Sequence, residues 1–253
     1  MKIVIYTSIV GSYEGLLQPV VYDDTFDYIC FSSDIEDRQV GVWKIVSIPC
    51  QNENQVIRSR YVKLLPHQVL DEYDYSVWMD ANIQITGEEF YESINQRIDE
   101  GAIIAQVPHP TSSDIYQEIR NAYYGEKVKW QDAWAQIDYL RKMKCPEGLG
   151  MFENNVMLRK HNDPTVISIS EDWWSEFYKS APRDQFSLMY VYWKHNFMPS
   201  FLFDSDHNSR NVPFLKYHVH PSMQKRNDYY KKHRVLRALN ALKKKIVVSL
   251  LLR

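Results

Sequence analysis

Apolar residues follow two rhythms along this chain. KIVIY at 2–6, YICF at 28–31 and YSVWM at 75–79 are short runs that predict strands covered on both faces. A segment around 42–48 ending before Pro49, with 102–107 and 155–159, completes the predicted strands. Between 54 and 70 the rhythm becomes helical. Ile57, Tyr61, Leu64 and Leu65 share one side, Arg60, Lys63 and His67 another, and Pro66 kinks or ends the helix. Further helices are predicted over 88–98, through much of 111–145, and from Asp172-Trp173-Trp174 onward. The segment SAPRDQFSLMYVYWKH also has helix-start features, with Ser180 as a cap, Pro182 in the first turn, and Asp184 and Gln185 behind them. Strands separated by helices give an α/β fold, a Rossmann-like, mainly parallel sheet flanked by helices. Ligands of such sheets gather at the carboxyl ends of the strands. Thr7, Ser33 and Asp80 fall at such ends.

The 253 residues, 45% of them hydrophobic, suffice for one large domain or two small ones. There is no internal repeat or low-complexity linker. Charge divides the chain into a body, 1–224, and a tail, 225–253. The tail holds ten Lys and Arg against one acid, Asp228, leaving twenty basic and thirty-one acidic residues in the body. Within it Val235, Leu239, Leu242, Ile246 and Leu250 recur at steps of three or four around Lys243, Lys244 and Lys245. A basic amphipathic helix of this kind fits an anionic membrane surface, and equally fits packing on the acidic body or on another subunit. No nucleic-acid motif accompanies the basic residues, which argues against nucleic acid as a partner. Cys30, Cys50 and Cys145 are odd in number and widely spaced, so neither a disulfide framework nor a zinc site is indicated. The opening MKIVIYTSIVGSYEG turns polar by Thr7, too early for a leader's apolar core, and no apolar run approaches membrane-spanning length. The expectation is a cytoplasmic protein, peripheral on the inner face of a membrane if the tail binds lipid.

Chemistry enters at VWMDANIQI, 77–85. In an extended segment Asp80 and Asn82 point the same way and present oxygen atoms to one site, as a hard cation shared with substrate phosphates requires. The same D-x-N also ends strands in turns that bond only local backbone. Arg60 and Lys63, three apart on a helix, face phosphate or sugar hydroxyls together, or form a solvated face. Asp184 and Gln185 lie near a helix start, where an anion is favoured and Asp184 could serve merely as a cap. His218 and His220 alternate in KYHVHP, either as imidazoles facing one site or as unrelated surface residues.

The blocks YTSIVGSYEGL (6–16), FSSD (31–34), RSRYVKLLPH (58–67), YSVWMDANIQI (75–85), FENNVMLRKH (152–161) and RDQFSLMYVYWK (183–194) occur in an order that resembles the A-type (GT-A) fold glycosyltransferases. The resemblance is strongest to the glycosyltransferase-like family typified by mucilage and pollen-development proteins, with features similar to retaining galactosyltransferase and glycogenin-type enzymes. It covers roughly residues 1–220. The resemblance implies a metal site built on Asp80 and Asn82, with Asn82 replacing the usual second acid, completed by His218 or His220 and holding Mn²⁺ or Mg²⁺. It places Thr7, Tyr13 and Asp34 at the base and ribose. Arg60, Lys63, Glu153 and Asn154 fall at phosphate or sugar hydroxyls, and Asp184 and Gln185 beside the anomeric carbon.

The function so implied is transfer of a sugar, retaining its configuration, from a UDP-sugar to a glycan or lipid-linked acceptor in cell-surface polysaccharide synthesis. One alternative is a non-catalytic nucleotide-sugar or glycan-binding module on the same fold. Another is a nucleotidyltransferase, against which stands the lack of an early glycine-rich phosphate loop.

Overall fold

Every residue of the first strand, Ile3–Ile9, is apolar except Thr7 and Ser8. Alternation sends Val4 and Tyr6 into one apolar layer and Ile3, Ile5 and Ile9 into another. A sheet with two covered faces needs strands without a polar side, and the runs in the sequence supply them. In the computed structural model, which describes residues 1–11, 15–179, 183–219 and 221–251, the strands are β1 (Ile3–Ile9), β2 (Phe26–Ser32), β3 (Gln39–Val40), β4 (Trp43–Val46), β5 (Tyr75–Met79), β6 (Ile83–Ile85), β7 (Ile104–Pro108), β8 (Phe152–Arg159), β9 (Ser200–Phe201) and β10 (Leu215–Tyr217). The helices are α1 (Gln55–Leu64), α2 (Glu89–Asp99), α3 (Ile115–Tyr124), α4 (Trp130–Lys142), α5 (Pro164–Lys179), α6 (Leu188–Lys194), α7 (Pro221–Lys232) and α8 (Arg234–Leu251). The main sheet runs β3-β4-β2-β1-β5-β8-β7-β9. Its β4-β2-β1-β5 part is parallel, β9 is parallel to β7, and β8 runs antiparallel between β5 and β7. The predicted mostly parallel α/β sheet flanked by helices is the observed fold.

Three local expectations change. Residues 83–85 do not continue β5. A turn closed by the Ile83 amide donating to the Asp80 carbonyl at 3.0 Å carries the chain into β6, which pairs antiparallel with β10 in a separate small sheet. Asp80 and Asn82 therefore project from a turn, not by strand alternation.

The helix expected to open at Asp172 starts at Pro164. Asp163 accepts from the Thr165 amide at 2.8 Å, and proline fits the first helical position because its missing N–H has no partner to lose there. Val166, Ile169, Trp173 and Phe177 of α5 are buried at helical spacing. The tail, expected as one helix, is two, α7 and α8, and its start at Pro221 precedes the compositional boundary at 225.

Strand β8 is buried along its whole length, although Glu153, Asn154 and Asn155 lie within it. Its register with β7 jumps from Gln106↔Met157 to Val107↔Glu153, so the three polar or flanking residues 154–156 form an irregularity opposite β7. That irregularity abuts the carboxyl end of β5, where the Asp80 amide donates to the Asn155 carbonyl at 2.8 Å.

Replacing Asp163 by Ala removes the bond that starts α5 and is expected to lower stability by about 1 kcal/mol. Urea unfolding at neutral pH checks this, and an unchanged midpoint would show that packing alone sets the helix start.

Candidate functional site

Parallel strands β1, β2 and β5 end at one edge, and the β1–β5 register that pairs Tyr6 with Trp78 brings Ser8 level with Asp80. Beyond this edge lies a cleft of about 370 Å³ lined by Ser8, Ile9, Gln55, Ser59, Arg60, Trp78, Asp80 and Asn82 among others. It meets an inner chamber of about 150 Å³ that shares Arg60 and Asp80 and adds Lys63, Glu153, Asn154, Asp184 and Gln185. A larger groove, about 560 Å³, lies between α8 and the end of α3. It is the seam of the docked tail and does not bring the candidate site residues together.

The centre of the site is Lys63. Leu64 on α1 packs in the core, and the neighbouring Lys63 is carried inward until its side chain is 2% exposed. Its ammonium lies 2.7 Å from Asp184 Oδ2 and 3.3 Å from Asp80 Oδ1, and 5.1 Å from the centre of the Trp78 ring. The Trp78 indole donates to the same Asp80 oxygen at 2.8 Å. Arg60, one turn before Lys63, donates to Asp184 Oδ1 at 3.1 Å. Burial alone would raise the Asp184 pKa, but the charges of Arg60 and Lys63 and the Lys63 hydrogen bond hold it well below the ordinary carboxylate range. Asp184 is thus an anchor that stays charged at neutral pH rather than a helix cap. It stands in a 3₁₀ turn, Asp184–Phe186, ahead of α6, and Ser180 and Pro182 lie outside the described residues.

Gln185 is fixed at both ends. Its Oε1 accepts from the Asn154 amide at 3.2 Å and its Nε2 donates to the Phe152 carbonyl, so the side chain pairs with β8 as a strand would. Gln185 therefore holds the Asp184 turn against β8. Glu153 is held by Arg210 and by Asn155 Nδ2 at 3.1 Å. Asn154 accepts from Gln106 through Oδ1, while its buried Nδ2 has no partner among the described residues and lines the chamber. A donor left unsatisfied there fits a ligand hydroxyl, because burying it alone is costly.

The nucleotide-end residues are distributed differently from the expectation. Thr7 is 2% exposed and lines a separate recess of about 10 Å³, too small for a base. Its neighbour Ser8, on the opposite side of β1, lines the cleft instead. Asp34 accepts from the Gly11 amide, tying the loops after β1 and β2 together, and Arg58 donates to Ser33 beside it. Tyr13 and His220 lie outside the described residues.

For a metal, Asp80 and Asn82 are the fitting pair. The Asp80 side chain is 38% exposed although Oδ1 already accepts from Trp78 and Lys63, and Asn82 spends its amide nitrogen on the His218 carbonyl at 2.8 Å, leaving its oxygen as the potential ligand. His218 stands across from Asn82 with Nε2 3.1 Å from Gln84 Oε1. No group of three His, Cys, Asp or Glu converges among the described residues. This set suits a cation completed by substrate oxygens and water rather than one caged by protein.

The site thus sets a carboxylate at the carboxyl edge of a mostly parallel α/β sheet, with two cations, an unpaired amide donor and a second, anchored carboxylate gathered around it. The model of the TOD1/MUCI70, glycosyltransferase-like domain matches residues 14–220, and the chain belongs to that family. Among solved structures the chain is similar to mouse xyloside xylosyltransferase 1, at 12% identity over 81% of this chain and 79% of that one, TM-score 0.38. It is also similar to the galactosyltransferase LgtC in complex with donor and acceptor sugar analogues, at 9% identity over 87% and 88%, TM-score 0.44. A third similarity is to the glycosyltransferase GlyE of Streptococcus pneumoniae TIGR4, at 10% identity over 98% and 62%, TM-score 0.45. No curated protein matches the chain.

Replacing Asp184 by Asn keeps the shape and removes the charge that holds Lys63, a change expected to cost about 3 kcal/mol at pH 7. A carboxylate with a depressed pKa stabilises fully above its unfolded value and loses that contribution as pH falls. The gap between wild type and Asp184→Asn should therefore be level near neutrality and begin to narrow only below about pH 4, shrinking progressively as pH falls further, in urea titrations. A gap independent of pH would show that the charge is not what matters.

Proposed function

We propose that this domain transfers a sugar from a UDP-sugar to a glycan or lipid-linked acceptor, in the manner of the A-type transferases and with retention of configuration. The observation that carries this reading is the Lys63 bridge, which ties Asp80, shared by the two chambers, to Asp184 in the inner one. The nucleotide occupies the outer cleft along Ser8, and its diphosphate reaches Asp80 and Asn82. Bound Mn²⁺ or Mg²⁺ at that pair would offset the charge growing on the departing UDP. Arg60 and Asp184 orient the donor sugar, and Asn154 donates to one of its hydroxyls. Asp184, held charged by two cations, is a poor nucleophile, and the Gln185 amide is occupied by β8. Neither is free to form a covalent bond, so the arrangement favours attack by the acceptor on the face that the nucleotide leaves, with a phosphate oxygen taking its proton. Cell-surface polysaccharide synthesis is the process this chemistry fits.

UDP release from a panel of UDP-sugars with Mn²⁺ tests the reading. Wild type is expected to hydrolyse at least one donor slowly without acceptor, and Asp80→Ala to lose about 100-fold of that rate. Donor binding without hydrolysis would move the protein to the binding-module reading.

The tail adds an anionic membrane surface as partner. Lys244 of α8 donates to the Tyr124 carbonyl at 2.9 Å and to Glu126 at 2.7 Å, and Val247 and Val248 pack against the core. The opposite face leaves Val235, Leu239, Leu242 and Ile246 exposed, with Lys243 and Lys245 flanking this stripe. No described helix is long and apolar enough to cross a membrane. An apolar stripe between lysines matches a helix lying in an anionic lipid interface, whereas pairing with a second copy would bring like charges together. Co-sedimentation with phosphatidylglycerol vesicles is expected for wild type and lost in Leu242→Glu/Ile246→Glu. Equal binding by both would exclude the stripe as the anchor.

A further inference from the structure

The inner chamber has a charge imbalance that the donor-binding roles leave unused. Five cations, Arg60, Lys63, Lys127, Arg183 and Arg210, line it with four carboxylates, Asp80, Glu118, Glu153 and Asp184. Each carboxylate is already engaged. Asp184 holds Arg60 and Lys63, Asp80 shares Lys63, and Glu153 holds Arg210. Glu118 accepts from Ser112 at 2.7 Å and lies 3.2 Å from His109 Nε2. The His109 ring is neutral by its bonding, because Nδ1 accepts from the Ser112 amide at 2.9 Å and the Thr111 amide at 3.3 Å, leaving the proton on Nε2 for Glu118.

What remains is Arg183 and Lys127. Neither has an ion pair or hydrogen bond to a carboxylate among the described residues, and Arg183 Nε is buried without a partner. They come from different elements, Arg183 from the residue before the Asp184 turn and Lys127 from the turn after α3, yet face one chamber. Burial, followed for Lys127 by the charge of Arg183, lowers both from their ordinary values. Carboxylates of the chamber, Asp184 at Arg183 and Glu118 at both, oppose these two charges through space without bonding to either, and the one positive charge left over favours an added anion.

We infer that Arg183 and Lys127 form a subsite for a carboxylate carried by the donor sugar or by the acceptor. This rests on the transferase reading, in which the diphosphate lies in the outer cleft and the sugar at Arg60 and Asp184, placing the subsite beyond the reacting carbon. The surplus of one positive charge matches one carboxylate better than a phosphate dianion. The planar Arg183 guanidinium has the fork geometry that carboxylates accept, and Lys127, more exposed, closes the other side as a point charge.

Calorimetric titration of the full chain with two matched pairs tests this. UDP-glucuronate against UDP-glucose reads a carboxylate on the donor, and methyl glucuronide against methyl glucoside reads one on the acceptor and needs no nucleotide. The carboxylated member of at least one pair is expected to bind about tenfold more tightly to wild type. That ratio should fall towards one in Arg183→Gln and in Lys127→Gln, and partly recover in Arg183→Lys. Lys127 lies at the exposed rim, so its variant keeps the test independent of any folding defect at Arg183. No preference in either pair, or a preference that survives both neutral variants, overturns the subsite. Titration with UDP alone separates the two readings, since absence of UDP binding counts against the transferase while the methyl glycoside pair still reports on the subsite.

Discussion

A lysine ammonium cannot be buried alone, and the site is organised around that constraint. Lys63 sits 2% exposed beneath the cleft, its charge met by Asp80 from the end of β5 and by Asp184 from the turn before α6. Two carboxylates distant in sequence are thereby brought to one point, and Arg60 on the same helix satisfies the remaining oxygen of Asp184. Removing any member leaves an uncompensated buried charge, which is far costlier than the pair is stabilising. The cluster thus specifies geometry more than it adds stability.

The backbone around it serves the same end. A polar irregularity in β8 would be expensive inside a sheet, yet Asn155 fixes the turn at Asp80, Gln185 pairs with the backbone of Phe152 and Asn154, and Glu153 is neutralised by Arg210. Among the described residues, the buried polar groups of this segment are answered by other parts of the site, except the Asn154 amide nitrogen and the Asn155 side-chain oxygen. Both residues line the chamber, where substrate hydroxyls would supply the missing acceptor and donor.

Much of the sheet was legible because strands buried on both faces must be continuously apolar, as β1, β2 and β5 are. The early start of α5 is not legible because its first two turns, PTVISIS, are rich in β-branched residues, and only Asp163-Pro164 signals a helix. The gathering of Arg60, Lys63, Asp80 and Asp184 follows the blocks named from the sequence, but the burial of Lys63 could not be read from spacing, which placed it on a polar helix face. Thr7 and Ser8 show the limit most sharply. A one-residue difference decides which side of the sheet a strand residue faces, and no local pattern marks which layer holds the cleft. Arg183 opens one of the quoted blocks and Lys127 lies in none, but in neither case could the sequence show what sets them apart, the lack of a bonded carboxylate.

The central claim, that the Lys63-anchored cleft is a nucleotide-sugar site using a shared cation, is tested most directly by calorimetric titration with UDP, with and without Mn²⁺, and with GDP as the control. The account predicts binding that is selective for UDP and strengthened by Mn²⁺. Absence of binding by either nucleotide under every metal condition would contradict it.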